Sequence, residues 1–203
     1  MRLIRKFIHT KFFSGLNRFI LSLFYKKQYL RGKYFDESRF GFVWAWRGIF
    51  RSFKLRRRGI RFPVGKNTRI SNGRNLEFDV SSLNVFQQPG CFYQNYEAKI
   101  TIGADVHIAG NVGIITQNHN PENPDKHLPA KEVYIGDHCW IGMNAVVLPG
   151  VRLGDYTTVG AGAVVTHSFE EGHCVIAGNP ARIIKKFEPK EQAKEECKVE
   201  YEN

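Results

Sequence analysis

The second half of the chain repeats with a period of six residues, and this rhythm restricts the folds that it can adopt. The clearest run is six aliphatic residues spaced six apart: Ile135, Ile141, Val147, Leu153, Val159 and Val165. A period of six fits neither an α-helix nor an alternating hairpin strand, but it fits a parallel β-helix in which each hexad forms one short strand and one corner. The aliphatic side chains would stack inside a three-sided prism, because no single coil can bury its apolar face alone.

Glycine often follows the aliphatic residue, as at Gly136, Gly142, Gly154 and Gly160. We expect these glycines to form tight corners with positive φ, a conformation that glycine adopts at little steric cost. Fainter runs with the same period begin at Ile102 and at Val64. The sequence therefore predicts an all-β domain, a parallel β-helix over residues 63–187.

The repeat is interrupted once, between Ile114 and Ile135. The interval of 21 residues exceeds three hexads by three, and residues 116–127 are polar or turn-forming. We expect a loop to project from the prism at 115–132, and loops on a rigid scaffold often carry functional residues.

The N-terminal third has a different character. Residues 1–74 contain 20 of the 30 Lys and Arg residues and two acids, a net charge of +18, whereas the remainder carries −7. Apolar residues recur at three- and four-residue steps from Leu3 to Phe24, which predicts a basic amphipathic helix. Such a helix suits a peripheral contact of residues 1–35 with an anionic inner membrane surface, or it packs on its own protein or a sister subunit. No apolar run is long enough to span a bilayer.

The remaining segments predict less. Residues 1–62 form a basic, aromatic attachment region, and residues 188–203 form a polar tail or short helix. Arg and aromatic residues mix over 44–62, but no nucleic-acid-binding motif accompanies them, so we expect no nucleic acid partner. The four cysteines (Cys91, Cys139, Cys174, Cys197) have neither zinc-site nor disulfide spacing, which favours a reducing cytoplasm and predicts no metal.

Several motifs resemble a known family. They are Ile135-Gly-Asp-His-Cys-Trp-Ile-Gly142, Leu148-Pro-Gly-Val151, Val159-Gly-Ala-Gly-Ala-Val-Val-Thr166 and Ala177-Gly-Asn-Pro-Ala-Arg182. They look like the hexapeptide-repeat acetyltransferases, in the branch of galactoside and maltose acetyltransferases and polysaccharide O-acetyltransferases. The resemblance implies a left-handed β-helix, a homotrimer with active sites between subunits, and acetyl-CoA as donor.

A sugar hydroxyl needs a base of near-neutral pKa before it can attack a thioester, and histidine usually serves. His119 stands at the start of the projecting loop, where the resemblance places the catalytic histidine, and His127 in the same loop is the alternative. The small interior hexad position of Cys139 predicts a structural thiol rather than an acyl-enzyme nucleophile.

The resemblance also assigns binding residues. It implies pantetheine contacts near Gly142, Ala161 and Thr166, and nucleotide phosphate contacts at Arg182 and Lys185; a solvated basic turn is the alternative for these two cations. We expect acceptor contacts at Asn118, Trp140 and Glu97, of which Glu97 is supported by spacing alone. Met143 follows the Trp-Ile-Gly motif where relatives often have a small polar residue, which disfavours a hydroxyl contact to the donor there.

The predicted function is O-acetylation of a sugar in capsular, exo- or lipopolysaccharide biosynthesis, with a lipid-linked or polymeric acceptor. One alternative is an acetyltransferase for an amino-sugar nucleotide or an antibiotic. Another is a non-catalytic trimeric scaffold that docks on membranes. A metal enzyme resembling the trimeric carbonic anhydrases is disfavoured, because the histidine spacing does not match.

Overall fold

The computed structural model describes residues 11–188. Two α-helices come first, α1 (Lys11–Ser22) and α2 (Phe40–Arg56), with a 3-10 turn (Lys27–Leu30) and a π-helical turn (Lys33–Glu37) between them. Further 3-10 segments cover Gly73–Asn75 and Val80–Gln87. The start of the predicted N-terminal helix and nearly all of the predicted C-terminal tail lie outside the described residues.

The rest is built from short strands. In chain order they are β1 (Arg69–Ile70), β2 (Leu76–Phe78), β3 (Phe92–Gln94), β4 (Ile100–Ile102), β5 (His107–Ile108), β6 (Gly113–Ile115), β7 (His119–Asn120), β8 (Asn123–His127), β9 (Val133–Ile135), β10 (Trp140–Ile141), β11 (Val146–Val147), β12 (Arg152–Leu153), β13 (Thr157–Val159), β14 (Val164–Val165), β15 (Cys174–Gly178) and β16 (Ala181–Lys186).

Most of these strands form three sheets that the chain visits in turn, and all pairs within them are parallel except β15 with β16. Sheet A has the order β1-β3-β6-β11-β14, sheet B the order β12-β9-β4-β2, and sheet C the order β16-β15-β13-β10-β5. From β3 to β14, successive strands pass from sheet A to B to C and back to A, apart from a hairpin of β7 and β8; β15 and β16 then both join sheet C. The predicted parallel β-helix is therefore confirmed as a three-sided coil.

The hexad aliphatics fill the interior of this coil. Strand register stacks Ile114, Val147 and Val165 in sheet A, and Ile108, Ile141, Val159 and Ile176 in sheet C. All of these side chains are buried. Each contributes on the order of 1.5–3 kcal/mol of hydrophobic free energy, so the stack is a substantial part of the core.

The predicted role of the hexad glycines is wrong. Positive φ occurs two residues later, at Asp105, His138, Asn144, Tyr156 and Gly162. The glycine is needed because the next coil lies directly against it: a Cβ at Gly142 would lie 2.6 Å from the Ala161 nitrogen, and one at Gly136 would lie 2.7 Å from the Asp155 nitrogen. Close packing of neighbouring coils, rather than a left-handed corner, excludes a side chain there.

The helices pack over the first coil of the prism. The Tyr25 hydroxyl donates to the Ala45 carbonyl (2.9 Å), and the Lys26 amide donates to the Arg61 carbonyl (2.9 Å). Arg51 donates to the Gly65 and Thr68 carbonyls. The buried side of α1 consists of Asn17 and Leu21, so part of the apolar stripe predicted from the sequence faces outward instead.

Candidate functional site

The β7–β8 hairpin carries His119 away from the prism. It leaves the coil where the chain passes from sheet A to sheet B, within the predicted interruption of the repeat. Its strands pair antiparallel, with His119 opposite His127, and their imidazole centroids are 4.3 Å apart. The two candidate bases are therefore immediate neighbours, and both are exposed.

A hydrogen bond fixes the tautomer of His119 in its neutral form. Nδ1 lies 2.7 Å from the Pro124 carbonyl oxygen, which can only accept, so Nδ1 carries the proton. Nε2 then holds the free lone pair that a general base requires. The hairpin thus leaves one defined atom of His119, Nε2, without this hydrogen bond and able to accept a proton.

The root of the hairpin is held by amide side chains. Gln94 Oε1 accepts from the backbone nitrogens of Thr116 (3.0 Å) and Gln117 (3.2 Å). Gln117 Nε2 donates to Glu97 Oε2 (2.8 Å) and to the Leu128 carbonyl (3.1 Å), so it ties the two arms of the loop together. Glu97 consequently has a partner within the chain, whereas Asn118 is exposed beside His119 and accepts the Leu128 amide through its carbonyl.

A second group of predicted residues lies on the outer face of sheet C. Register aligns Trp140 with Thr158, Thr158 with Val175, and Val175 with Lys185. Trp140 is 56% exposed and Lys185 is exposed. Three strand spacings separate these two residues, a span of about 14 Å along the sheet.

A neighbouring row on the same face is nearly free of side chains. The contact distances of Gly142 and Gly160 place them against the next coil at Ala161 and Ala177, and Ala177 pairs with Arg182. This row of small residues therefore separates Trp140 from the two cations.

A β-bulge gives Arg182 and Lys185 the same orientation. They are three residues apart, so a regular strand would turn their side chains to opposite faces. The register shift between Val175 and Ile176 leaves Ile184 without a partner, and Arg182 and Lys185 then pair with Ala177 and Val175, two residues apart on the outer face.

The predicted site residues thus fall into two groups on one chain. One group lies on sheet C or just after its strands, and it consists of Trp140, Gly142, Ala161, Arg182 and Lys185. His119, Asn118 and Glu97 belong to the hairpin region. Thr166 is exposed and follows β14 in sheet A, in register with the root of the hairpin two coils away.

Cys139 lies inside the prism. Its thiol donates to the Gly154 carbonyl (3.3 Å), and burial raises its pKa to about 12. A thiol so reluctant to ionise is a poor nucleophile. Within residues 11–188, His, Cys, Asp and Glu side chains form no group of three suited to a metal ion.

Comparisons with known proteins identify the family. A family model described as "Bacterial transferase hexapeptide (six repeats)" matches residues 132–167. The chain is 33% identical over 175 residues to the Escherichia coli "Putative lipopolysaccharide biosynthesis O-acetyl transferase", with 72% of this chain and 89% of that protein aligned. The chain belongs to the bacterial hexapeptide-repeat transferases. The family predicted from the sequence motifs is thereby confirmed.

Two further relatives extend this comparison. A "Putative acetyltransferase" of Dictyostelium discoideum is 44% identical over 110 residues, and the match covers 50% of this transferase chain and 57% of that protein, little more than half its length. The solved structure of a hexapeptide-repeat acetyltransferase from Vibrio cholerae is 23% identical, with a TM-score of 0.50 over 62% of this chain and 70% of that chain. This last likeness concerns the fold alone.

Some features of the candidate site were not predicted from the sequence. Gln94 and Gln117 lack any motif, and their roles arise from contacts across about 20 residues of chain. The β15–β16 hairpin was also missed, because the repeat fades after Thr166. Asn179-Pro180, which adopts a cis peptide bond, was a signal for a turn in that segment.

Proposed function

We propose that this chain transfers an acetyl group from acetyl-CoA to a sugar hydroxyl, with His119 as the general base. The observation that carries the proposal is the hydrogen bond from His119 Nδ1 to the Pro124 carbonyl (2.7 Å), which leaves Nε2 free to accept a proton. Membership of a transferase family and the names of the relatives support acetyl transfer.

The reaction follows from this geometry. Nε2 of His119 takes the hydroxyl proton as the oxygen attacks the thioester carbonyl carbon, and a C–O bond forms. The tetrahedral intermediate then collapses, the C–S bond breaks, and the thiolate of CoA recovers the proton from Nε2. No acyl-enzyme is needed, which agrees with the buried thiol of Cys139.

The outer face of sheet C is the proposed donor site. The pantetheine arm would lie along this face near Gly142 and the exposed Ala161, with its amides bonded to backbone groups of the coil. Arg182 and Lys185, brought to one face by the bulge, would bind phosphate groups. Thr166 and Ala161 remain proposed donor contacts, and Asn118, Trp140 and Glu97 remain proposed acceptor contacts.

A homotrimer would complete the site. His119 and the sheet C residues lie at different corners of one prism, so two prisms packed side by side would bring the base of one against the donor face of the other. This separation supports the inter-subunit arrangement that the family implies. We also propose that the β-helix winds left-handed, because the family implies it.

The proposed acceptor is a sugar of a surface polysaccharide, on the strength of the Escherichia coli relative's name. The proposed location is the cytoplasm, with peripheral contact at the inner membrane surface. Within residues 11–188 neither helix is long and apolar enough to cross a bilayer.

The decisive experiment compares two adjacent imidazoles. We expect His119→Ala to lower CoA release from acetyl-CoA in the presence of a sugar acceptor by about 10²–10⁴-fold, with unchanged thermal unfolding, because only the base is lost. His127→Ala, the matched control on the facing strand, should stay within several-fold of the parent protein. The opposite ranking of the two variants would move the base to His127, and an acceptor screen that finds no acetylated sugar would refute the proposal.

A further inference from the structure

The outer faces of α1 and α2 expose an unusual amount of apolar surface. Phe50 is 87% exposed, Phe19 69% and Leu23 63%. Leu16, Val43, Trp46 and Phe53 on the same helices are also exposed. Monomeric proteins ordinarily expose large apolar side chains singly. A contiguous group of them therefore indicates a binding surface.

Contacts between the helices join their exposed stripes into one surface. Trp46 Nε1 donates to Asn17 Oδ1 (2.8 Å), and the rings of Phe24 and Phe53 meet edge to face at 5.5 Å. Phe24 lies two residues past the end of α1, so α2 contacts α1 at Asn17 and the chain again just after the helix ends. Their opposite sides are buried toward the prism, through Leu21 on α1 and Leu55 on α2. We call the joint outer surface of α1 and α2 the helical platform.

The charge on the helical platform is of one sign. Arg47, Lys54 and Arg57 are exposed at its edge, and neither helix contains an acid. The Arg56 guanidinium lies over the rings of Phe24 (6.0 Å) and Phe53 (5.8 Å). Cations whose apolar stems flank exposed aromatic rings suit the headgroup zone of an anionic bilayer.

A cleft beside the platform adds a place for an anionic group. It has a volume of about 160 Å³ and is lined by Arg18, Phe19, Ser22, Lys27, Leu30 and Arg31. Within the described chain, Arg18 Nε is buried without a hydrogen-bond partner. Asp36 accepts a hydrogen bond from Arg18, so the cleft retains two further cations to attract a phosphate.

We propose that the helical platform docks the protein on a bilayer that contains anionic lipid. The apolar side chains of both helices enter the interface while Arg47, Lys54 and Arg57 contact the phosphates. This assignment is independent of acetyl transfer. It differs from an anchor confined to residues 1–35, because α2 supplies Phe50, the most exposed of the large apolar side chains that the structure describes. A second copy of the platform is a poor partner, since cations would face cations.

Vesicle binding by the full chain tests the proposal. We expect co-sedimentation with mixed phosphatidylglycerol–phosphatidylcholine vesicles and weak binding to phosphatidylcholine alone. Phe50→Glu should weaken partitioning at least about tenfold, because it removes a buried ring from the interface and adds repulsion. Lys54→Glu should also weaken partitioning about tenfold, because it reverses the charge at this position. Both positions are exposed, so thermal unfolding should hardly change.

Two matched variants complete the experiment. Tyr96→Glu repeats the aromatic-to-acid change at another exposed ring, and Lys126→Glu repeats the charge reversal on the hairpin. Both should bind vesicles like the parent protein. Equal loss in all four variants would reduce the effect to net charge and overturn the proposal. Full vesicle binding by Phe50→Glu would also overturn the proposal. So would a parent protein that does not bind vesicles, together with a Phe50→Glu variant whose oligomer dissociates in sedimentation velocity.

Discussion

At the scale of single residues, the proposed chemistry depends on which nitrogen of His119 holds the proton. The sequence locates His119 in the interruption of the repeat, and the family resemblance suggests its role. The tautomer could not be predicted, because it depends on a backbone carbonyl five residues away that only the hairpin brings within 2.7 Å. The same holds for the hexad glycines. Their positions in the repeat can be read from the sequence, but the contact between neighbouring coils that requires glycine there could not be predicted.

Residue burial also predicts how the thiols react. Cys91, Cys139 and Cys174 are all buried, and burial raises the pKa of each. In a Cys197→Ser background we expect no rapid modification by a thiol reagent at pH 8, and full modification in denaturant. Because the pKa of each thiol is raised, little thiolate is present at pH 8, and the thiolate is the form that reacts. Rapid modification of one native thiol would show that the coil opens locally.

At the scale of elements, the interruption of 21 residues predicts a projecting loop, and the β7–β8 hairpin lies within that interruption. It was not sufficient to predict a β-hairpin, because all five residues of β8 are exposed and lack alternation. The antiparallel return of β16 was missed for a related reason, since Ile184 occupies a bulge and disturbs the two-residue period. Strands that lack a regular two-residue period can be recognised only from the strands with which they pair.

The hairpin root offers a test of how the loop is held. Gln117→Leu removes both hydrogen bonds of Nε2 and leaves the Leu128 carbonyl without this donor, so we expect a loss of about 1–3 kcal/mol in unfolding free energy. The loss should appear in thermal or denaturant unfolding. Glu97→Ala removes only one of the two acceptors and should cost less.

The same pair of variants separates two roles of Glu97. If Glu97 contacts the acceptor, Glu97→Ala should raise the acceptor KM more than Gln117→Leu does. If Glu97 only tethers Gln117, the two variants should share one kinetic defect. A larger stability loss in Glu97→Ala than in Gln117→Leu would contradict the hydrogen-bond arrangement described above.

At the scale of the whole molecule, the division of the proposed site between two corners of the prism requires a partner. We expect sedimentation equilibrium to give about 70 kDa, three times the chain mass of 23.3 kDa. A stable monomer that is fully active would contradict an inter-subunit site. Mixing His119→Ala chains with Arg182→Ala chains adds a second check, because heterotrimers should regain activity at interfaces that combine the intact residues.

A coiled stack of strands has two open ends, and each end is a potential template for another molecule's strands. Here α1 and α2 cover the first coil, and β16 runs against the direction of every other strand in sheet C. A parallel coil arriving from a neighbouring molecule would meet this reversed strand, with its exposed Arg and Lys side chains, so the parallel ladder of sheet C could not continue across it. In sheet C, therefore, β16 sets the length of the parallel ladder within each chain.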